Sequence, residues 1–289
     1  MPLHSKQKII IHQPWGGLGD NLQFSTLPEL FAARGIQTFI SSANVVRNPE
    51  IDKLVWAGNP FVIGSSEDIP NAGACMTDDQ SRFPLSLSFI ERIELAHGLD
   101  ATNRFPKIYY RAKSRAEFFN TVVVDVGSIS VKHYTDCIKK YIEFTFDKYH
   151  YKYSDSVQIQ FSKPVGADRV DHRIPELTSL VVDNIFEYCD ILKSCRALVT
   201  VHSGTHSLAA AIRRDRLKPI IHCYCTPEQF NGRGYIFDNV EYFVTQGPPP
   251  DSDSRVQELL NSTSWRITAP LRRVSSFARK LWSIDTTEF

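Results

Sequence analysis

Short apolar runs alternate with longer amphipathic stretches along most of this chain. Ile9-Ile10-Ile11 reads as a buried strand. From Leu22 to Arg34 the apolar residues Leu22, Leu27, Leu30 and Phe31 recur near helical spacing, with Gly35 as a stop signal. Pro28 falls inside that stretch, in its first turns or at a kink. Thr38-Phe39-Ile40 predicts a second strand, and Ile51 to Val55 is amphipathic before a turn at Asn59-Pro60. Leu87 to Gly98 predicts a helix with a glycine end. Residues 64–85 mix Gly, Ser, Pro and Asp without a period, which predicts an irregular loop or lid.

The alternation restarts in the second half. Val122-Val123-Val124-Asp125-Val126 is the strongest strand signal and is closed by Gly127-Ser128. Tyr134 to Tyr149 reads as a helix, with a strand as the alternative because its aromatic residues alternate. Val157 to Phe161 follows as a strand, Leu180 to Cys195 as a helix, Ala197 to Val201 as a strand, His206 to Arg213 as a helix and Pro219 to Cys225 as a strand. Strands separated by helix-length segments imply parallel sheets joined by right-handed crossovers. The expectation is an α/β protein with two Rossmann-like domains facing a cleft, over residues 1–116 and 117–268, and a tail over 269–289. In that tail Leu271, Val274, Ala278, Leu281 and Trp282 share a helical face, with Arg272, Arg273, Arg279 and Lys280 between them. Leu271 to Trp282 reads either as a terminal helix packed on the body or as a basic helix touching an anionic membrane surface.

Composition narrows the class. The 289 residues are 42% hydrophobic and 22% charged, enough for a sizeable core. With 33 Lys and Arg against 32 Asp and Glu, the net charge of +1 gives no reason to expect a nucleic-acid partner. No apolar run approaches the roughly 18 residues of a membrane span, and Met1 to Lys8 is too polar for a secretory signal. A cytoplasmic protein, at most peripheral at the inner membrane, is expected. Six cysteines in this length read as reduced thiols, and His222, Cys223 and Cys225 alternate between the faces of one strand, which argues against a metal site there.

Three turns carry candidate chemistry. Gly16-Gly17-Leu18-Gly19-Asp20 leads from the first strand into a helix. Its glycines permit a tight turn and close approach of backbone to a ligand, and the helix start favours anions. It lacks both the Rossmann glycine spacing and the Walker lysine. Asp20 reads either as a helix cap or as a general base at the cleft edge. In Val201-His202-Ser203-Gly204-Thr205-His206-Ser207, Ser203 and Thr205 can cap a helix while Gly204 admits phosphate oxygens. Gly127 to Tyr134 offers a small-residue loop and Lys132, a point charge suited to a phosphate.

Together these motifs resemble the heptosyltransferase-like glycosyltransferases of family 9, which have the GT-B fold. Gly19-Asp20-Asn21-Leu22 and Ser25-Thr26-Leu27-Pro28 match the family's opening turn and helix, and Lys132-His133-Tyr134 its Lys-x-Trp-like element. His202-Ser203-Gly204 and Leu208-Ala209-Ala210 match the late motif, while Asn59-Pro60 and the Pro219 strand fall where the family has them. The likeness covers roughly residues 8–245. Two positions depart from it: His202 stands where the family has an acid, and Ser207 where it has a histidine, with His206 one place early. The resemblance implies a bacterial inverting transferase without metal or other cofactor, using a nucleotide-sugar donor and a glycan or lipid-linked saccharide acceptor. It makes Asp20 the base. It gives donor phosphate contacts to Gly17, Gly19, Lys132, His202, Ser203, Gly204, Thr205 and His206. A sugar-nucleotide epimerase or hydrolase of the same architecture, and a non-catalytic nucleotide-sugar binder, are the competing readings.

Overall fold

The Ile9-Ile10-Ile11 run lies in β1 (Lys8–His12), inside a four-stranded sheet. The computed structural model describes residues 7–73, 83–84, 86–127, 137–163, 173–212, 219–232 and 235–245. β1 pairs in parallel with β2 (Gln37–Ser41), Ile9 opposite Thr38 and Ile11 opposite Ile40. β3 (Val62–Ser66) extends the sheet beyond β2, and the two-residue β4 (Ala72–Gly73) pairs on the other side of β1. The order is β3-β2-β1-β4. Helices α1 (Leu18–Gln23) and α2 (Leu27–Ala33) connect β1 to β2. Helix α3 (Pro49–Asp52) runs into a π-helical turn at Lys53–Ala57 before β3, and α4 (Phe89–Ala96) follows β4.

The second sheet contains six parallel strands. They are β5 (Val122–Asp125), β6 (Ser156–Phe161), β7 (Thr178–Val182), β8 (Ala197–Val201), β9 (Ile220–Cys225) and β10 (Glu241–Val244). Their spatial order is β10-β9-β8-β5-β6-β7. Helices α5 (Ile138–Tyr149), α6 (Ile185–Ser194), α7 (Gly204–Ile212) and α8 (Pro227–Gly232) lie between strands in sequence. β5 and β8 pair centrally and are buried along their whole length, which is why their sequences are near-continuous apolar runs rather than alternating ones.

Several boundaries differ from the sequence pattern for local reasons. The single helix expected over Leu22–Arg34 is two short helices, because Pro28 lacks an N–H and can sit only in the first turn of α2. The region 64–85, expected to be irregular, contains the end of β3 and all of β4. Gly73 there has φ +83°, and a Cβ on it would lie 2.3 Å from the His12 carbonyl oxygen. The helix expected over Leu180–Cys195 is strand β7 followed by α6. Asn184 marks the junction, its side chain accepting the Phe186 and Glu187 N–H groups at 3.0 and 2.9 Å. The predicted tail helix and Lys132 lie outside the described residues.

All described residues fall in one compact unit, and a single apolar cluster runs across both sheets, from Ile11, Leu22 and Trp56 to Leu198, Leu208 and Ile221. Residues 101–115 form an extended strap between the sheets. Its Thr102 N–H donates to Glu94, its Tyr110 hydroxyl to Asp190 at 2.9 Å and its Arg115 N–H to Ser194 at 2.7 Å. No helix among the described residues is long and apolar enough to cross a membrane.

Candidate active site

The two strand-to-helix turns singled out in the sequence touch one another. β1 ends in Gln13–Gly17 and turns into α1; β8 ends in His202-Ser203 and turns into α7. The first residue of α7, Gly204, packs directly on α1: a Cβ built on it would lie 2.9 Å from Leu18 Cβ and 3.0 Å from the Gly19 nitrogen. From the other side, a Cβ on Gly19 would lie 3.4 Å from Gly204 Cα. Gly204 therefore allows two helix starts to approach closely, a packing requirement that the phosphate reading of this glycine did not include, whereas a methyl on Gly19 would make only ordinary contact.

Gly16 and Gly17 have different tasks. Gly16 has φ +68°, and a Cβ there would lie 2.7 Å from the Val45 carbonyl oxygen. Gly17 is in ordinary extended conformation, but a Cβ on it would lie 2.5 Å from Asp20 Oδ2. Its bare backbone makes room for the carboxylate. Asp20 does not cap α1, whose start has no side-chain cap. Asp20 Oδ1 instead accepts a hydrogen bond from the Tyr235 hydroxyl, 215 positions along the chain. Oδ2 has no hydrogen-bond partner among the described residues. Asn21, one position on, is buried and pins the turn: its amide donates to the Gly17 carbonyl at 2.7 Å, and its oxygen accepts the Trp56 indole N–H at 2.8 Å.

Around these turns is a cleft of about 560 Å³. Gly17, Gly19, Asp20, His202, Ser203, Gly204 and Thr205 all line it, so the structure brings together every described candidate except His206. That imidazole is fully buried behind the wall. Its Nδ1 accepts the Ser203 N–H at 3.0 Å, and its Nε2–H donates to the Tyr235 carbonyl at 2.8 Å. Burial, with His202 adding to it, pushes its pKa down to about 3, so the ring stays neutral at physiological pH. His206 thus supports the site and does not touch the cleft.

A buried carboxylate braces the other wall. Asp125, at the end of β5, accepts hydrogen bonds from the Tyr188 hydroxyl at 2.7 Å and the Thr205 hydroxyl at 2.9 Å. Both donors belong to residues that line the cleft. Charged side chains of both signs reach it as well, among them Arg47, Lys163, Glu50 and Asp183. Glu50 crosses between the two sheets, accepting the Ile185 N–H at the start of α6 at 2.8 Å. Sequence reasoning assigned no role to Tyr235, Asp125 or Glu50, and it named Asn21 only as part of the opening motif. Of the first three only Asp125 carried a signal, a carboxylate closing the strongest strand.

No known protein family's sequence profile matches the chain, and no curated protein resembles it significantly in sequence. Solved structures do resemble it in fold. The iron-containing dodecameric glycosyltransferase TibC of enterotoxigenic E. coli superposes with a TM-score of 0.59 at 16% identity, over 84% of this chain and 65% of TibC. This chain thus spans about 65% of that protein's length. TibC, as the heptosyltransferase in complex with ADP-D-beta-D-heptose, gives 0.57. E. coli heptosyltransferase WaaC with ADP gives 0.51 at 11% identity, over 88% of this chain and 99% of WaaC. The fold is therefore the GT-B type of heptosyltransferase structures, as the sequence motifs implied. The expectation that no metal or cofactor is involved is overturned, because TibC is an iron-containing protein of this fold. Among the described residues, no group of three or more His, Cys, Asp or Glu side chains could ligate a metal ion, so they offer no ligand set for such an iron.

Proposed function

We propose that this protein is an inverting glycosyltransferase that moves a sugar from a nucleotide-sugar to a hydroxyl group of a glycan or lipid-linked saccharide. One observation carries the reading: the carboxylate of Asp20 is held at one oxygen and, among the described residues, has no partner at the other, in a cleft bounded by strand-to-helix turns from both sheets. TibC bound to ADP-D-beta-D-heptose and WaaC bound to ADP support a nucleoside diphosphate as part of the donor.

In this reading Asp20 Oδ2 takes the proton of the acceptor hydroxyl as its oxygen attacks the anomeric carbon. The bond from that carbon to the diphosphate breaks, and the nucleoside diphosphate leaves with the electron pair. Attack from the side opposite the leaving group inverts the anomeric centre. Residues 1–116 form the acceptor side. Residues 117–268 form the donor side, where His202, Ser203 and Thr205, the start of α7 and Lys163 face the diphosphate. Lys132, outside the described residues, is a further partner for the phosphates.

The test combines a nucleotide-sugar panel with Asp20→Asn. A thermal-shift screen should show stabilisation by a nucleoside diphosphate, because a ligand of the native state raises its stability. Asp20→Asn should lower turnover by about 10²–10⁴-fold while leaving nucleoside diphosphate affinity near the wild-type value. Wild-type turnover in Asp20→Asn would overturn the reading, and ligand binding without any sugar transfer would favour a non-catalytic binder.

A further inference from the structure

We infer that Tyr235 is a positioning residue for Asp20, supplied by the donor half and holding Oδ1 so that Oδ2 is presented to the acceptor. The inference rests on the transferase reading above and assigns the base a partner that no motif marked.

Four observations converge on it. First, the Tyr235 hydroxyl donates to Asp20 Oδ1 from across the cleft. A phenol donating to a carboxylate makes a directional, charge-assisted bond, so it fixes the rotation of the carboxylate as well as its place. Secondly, Tyr235 has φ +39°, a backbone conformation that a bulky residue adopts only when its surroundings impose it. Two contacts do so here: its carbonyl accepts the His206 Nε2–H at 2.8 Å and the Tyr242 hydroxyl at 3.2 Å. Thirdly, the ring is clamped. It stacks on His202 with centroids 5.8 Å apart and meets Phe89 edge-on at 5.5 Å. Fourthly, Gly17 leaves space for Oδ2 where any side chain would collide with it.

The contacts form one chain from donor turn to base. The Ser203 N–H donates to His206, His206 donates to the Tyr235 carbonyl, and the Tyr235 hydroxyl donates to Asp20. Burial, and after it the Asp20 carboxylate, raises the Tyr235 phenol well above its ordinary pKa, so it remains a proton donor throughout the neutral range. A shift of the Ser203 turn would thereby be felt at the base.

Tyr235→Phe tests this, because it keeps the clamped ring and removes only the hydroxyl. The full-length chain would be assayed, with saccharide acceptors supplied, for ADP release from ADP-heptose and, in parallel, UDP release from UDP-glucose, with ADP affinity measured by calorimetry. Tyr235→Phe should lower kcat about tenfold, the loss expected for one hydrogen bond to a charged group, with KM and ADP affinity unchanged. The second readout needs no turnover. In protein labelled with ¹³C at tyrosine Cζ, the resonance absent from Tyr235→Phe identifies Tyr235. That resonance should move in Asp20→Asn, which replaces the charged acceptor of the Tyr235 hydroxyl by a neutral one. A wild-type kcat in Tyr235→Phe, or a Tyr235 resonance that Asp20→Asn leaves unchanged, overturns the assignment. A Tyr235 resonance that Asp20→Asn moves, in a wild type that releases neither nucleotide, supports the Tyr235–Asp20 pairing and overturns the transferase reading instead.

Discussion

Replacing Gly204 by alanine tests whether the two turns meet as described. The new methyl would lie 2.9 Å from Leu18 Cβ, 3.3 Å from Leu18 Cγ and 3.0 Å from the Gly19 nitrogen. Two of those atoms belong to, or are rigidly attached to, the α1 backbone and cannot rotate aside. Helix α1 must then move back by several tenths of an ångström, which as overpacking costs about 1–3 kcal/mol. Alanine recovers roughly 0.4–1 kcal/mol by restricting the unfolded chain. The net loss is therefore about 1–2 kcal/mol, or roughly 2–8 °C in Tm for a unit of this size. Gly19→Ala is the control, because its methyl would come only to 3.4 Å from Gly204 Cα, ordinary van der Waals contact, and would improve the propensity of α1. Differential scanning calorimetry of the three proteins should place Gly204→Ala clearly below both others. Equal transitions for Gly204→Ala and Gly19→Ala would refute the close approach of α1 and α7, and with it the geometry that brings Asp20 to the donor turn.

Two further outcomes follow from buried polar groups. Asp125→Ala would leave the Tyr188 and Thr205 hydroxyls without their acceptor and should cost on the order of 3 kcal/mol in a urea titration, with weaker nucleotide binding; a midpoint matching the wild type would show that Asp125 braces neither residue. His206 has a folded-state pKa of about 3 against 6.5 in the unfolded chain, so below pH 6.5 the unfolded state takes up a proton that the folded state does not. Its stabilising contribution is complete above about pH 6.5 and falls as the pH drops towards 3, by about 2 kcal/mol at pH 5, and His206→Gln should flatten the urea midpoint between pH 7 and 5 by that amount; an unchanged slope would contradict a buried neutral imidazole.

The parts of the fold that were legible in the sequence are those in which one residue type had one physical explanation. Ile10-Ile11, the Val122 run and Ala197–Val201 are buried on both faces, and strands inside a parallel sheet read as unbroken apolar runs. The helix over Leu87 to Gly98 was legible through its glycine end; the reciprocal cap at its start, where Ser88 accepts the Glu91 N–H and the Glu91 side chain accepts the Ser88 N–H, went unread. β4 was hidden because two residues, one a glycine at positive φ, carry no period. β7 was hidden because Thr178–Val182 joins the apolar stretch of α6 with only Asp183-Asn184 to divide them. In the site, the Asp20 turn and the Ser203 turn were legible because glycines and short polar residues after a strand have few other uses. Tyr235 was not, since a tyrosine heading the short apolar run Tyr235-Ile236-Phe237 gives no sign that it crosses a cleft. Its role depends on a pairing over 215 positions that only the folded chain creates.

The two departures from the pattern of the resembling family meet at Tyr235. Position 207, where the pattern has a histidine, lies beneath α1: Ser207 is fully buried, and its hydroxyl is 3.9 Å from the place a Gly19 Cβ would occupy. A histidine there would carry four more heavy atoms into a contact already close enough to exclude a methyl on Gly204. With serine at 207 the helices can meet, and the imidazole one position earlier points away from α1, to the carbonyl of Tyr235. His202, in place of the acid, offers that tyrosine a ring to stack on. The ring of Tyr235 therefore rests on one departure and its backbone on the residue displaced by the other. Restoring the pattern through Ser207→His together with His206→Ala should separate α1 from α7 and release Tyr235 from Asp20. A Tyr235 Cζ resonance still tied to Asp20 in that double variant would show that the bond is independent of the packing of α1 against α7.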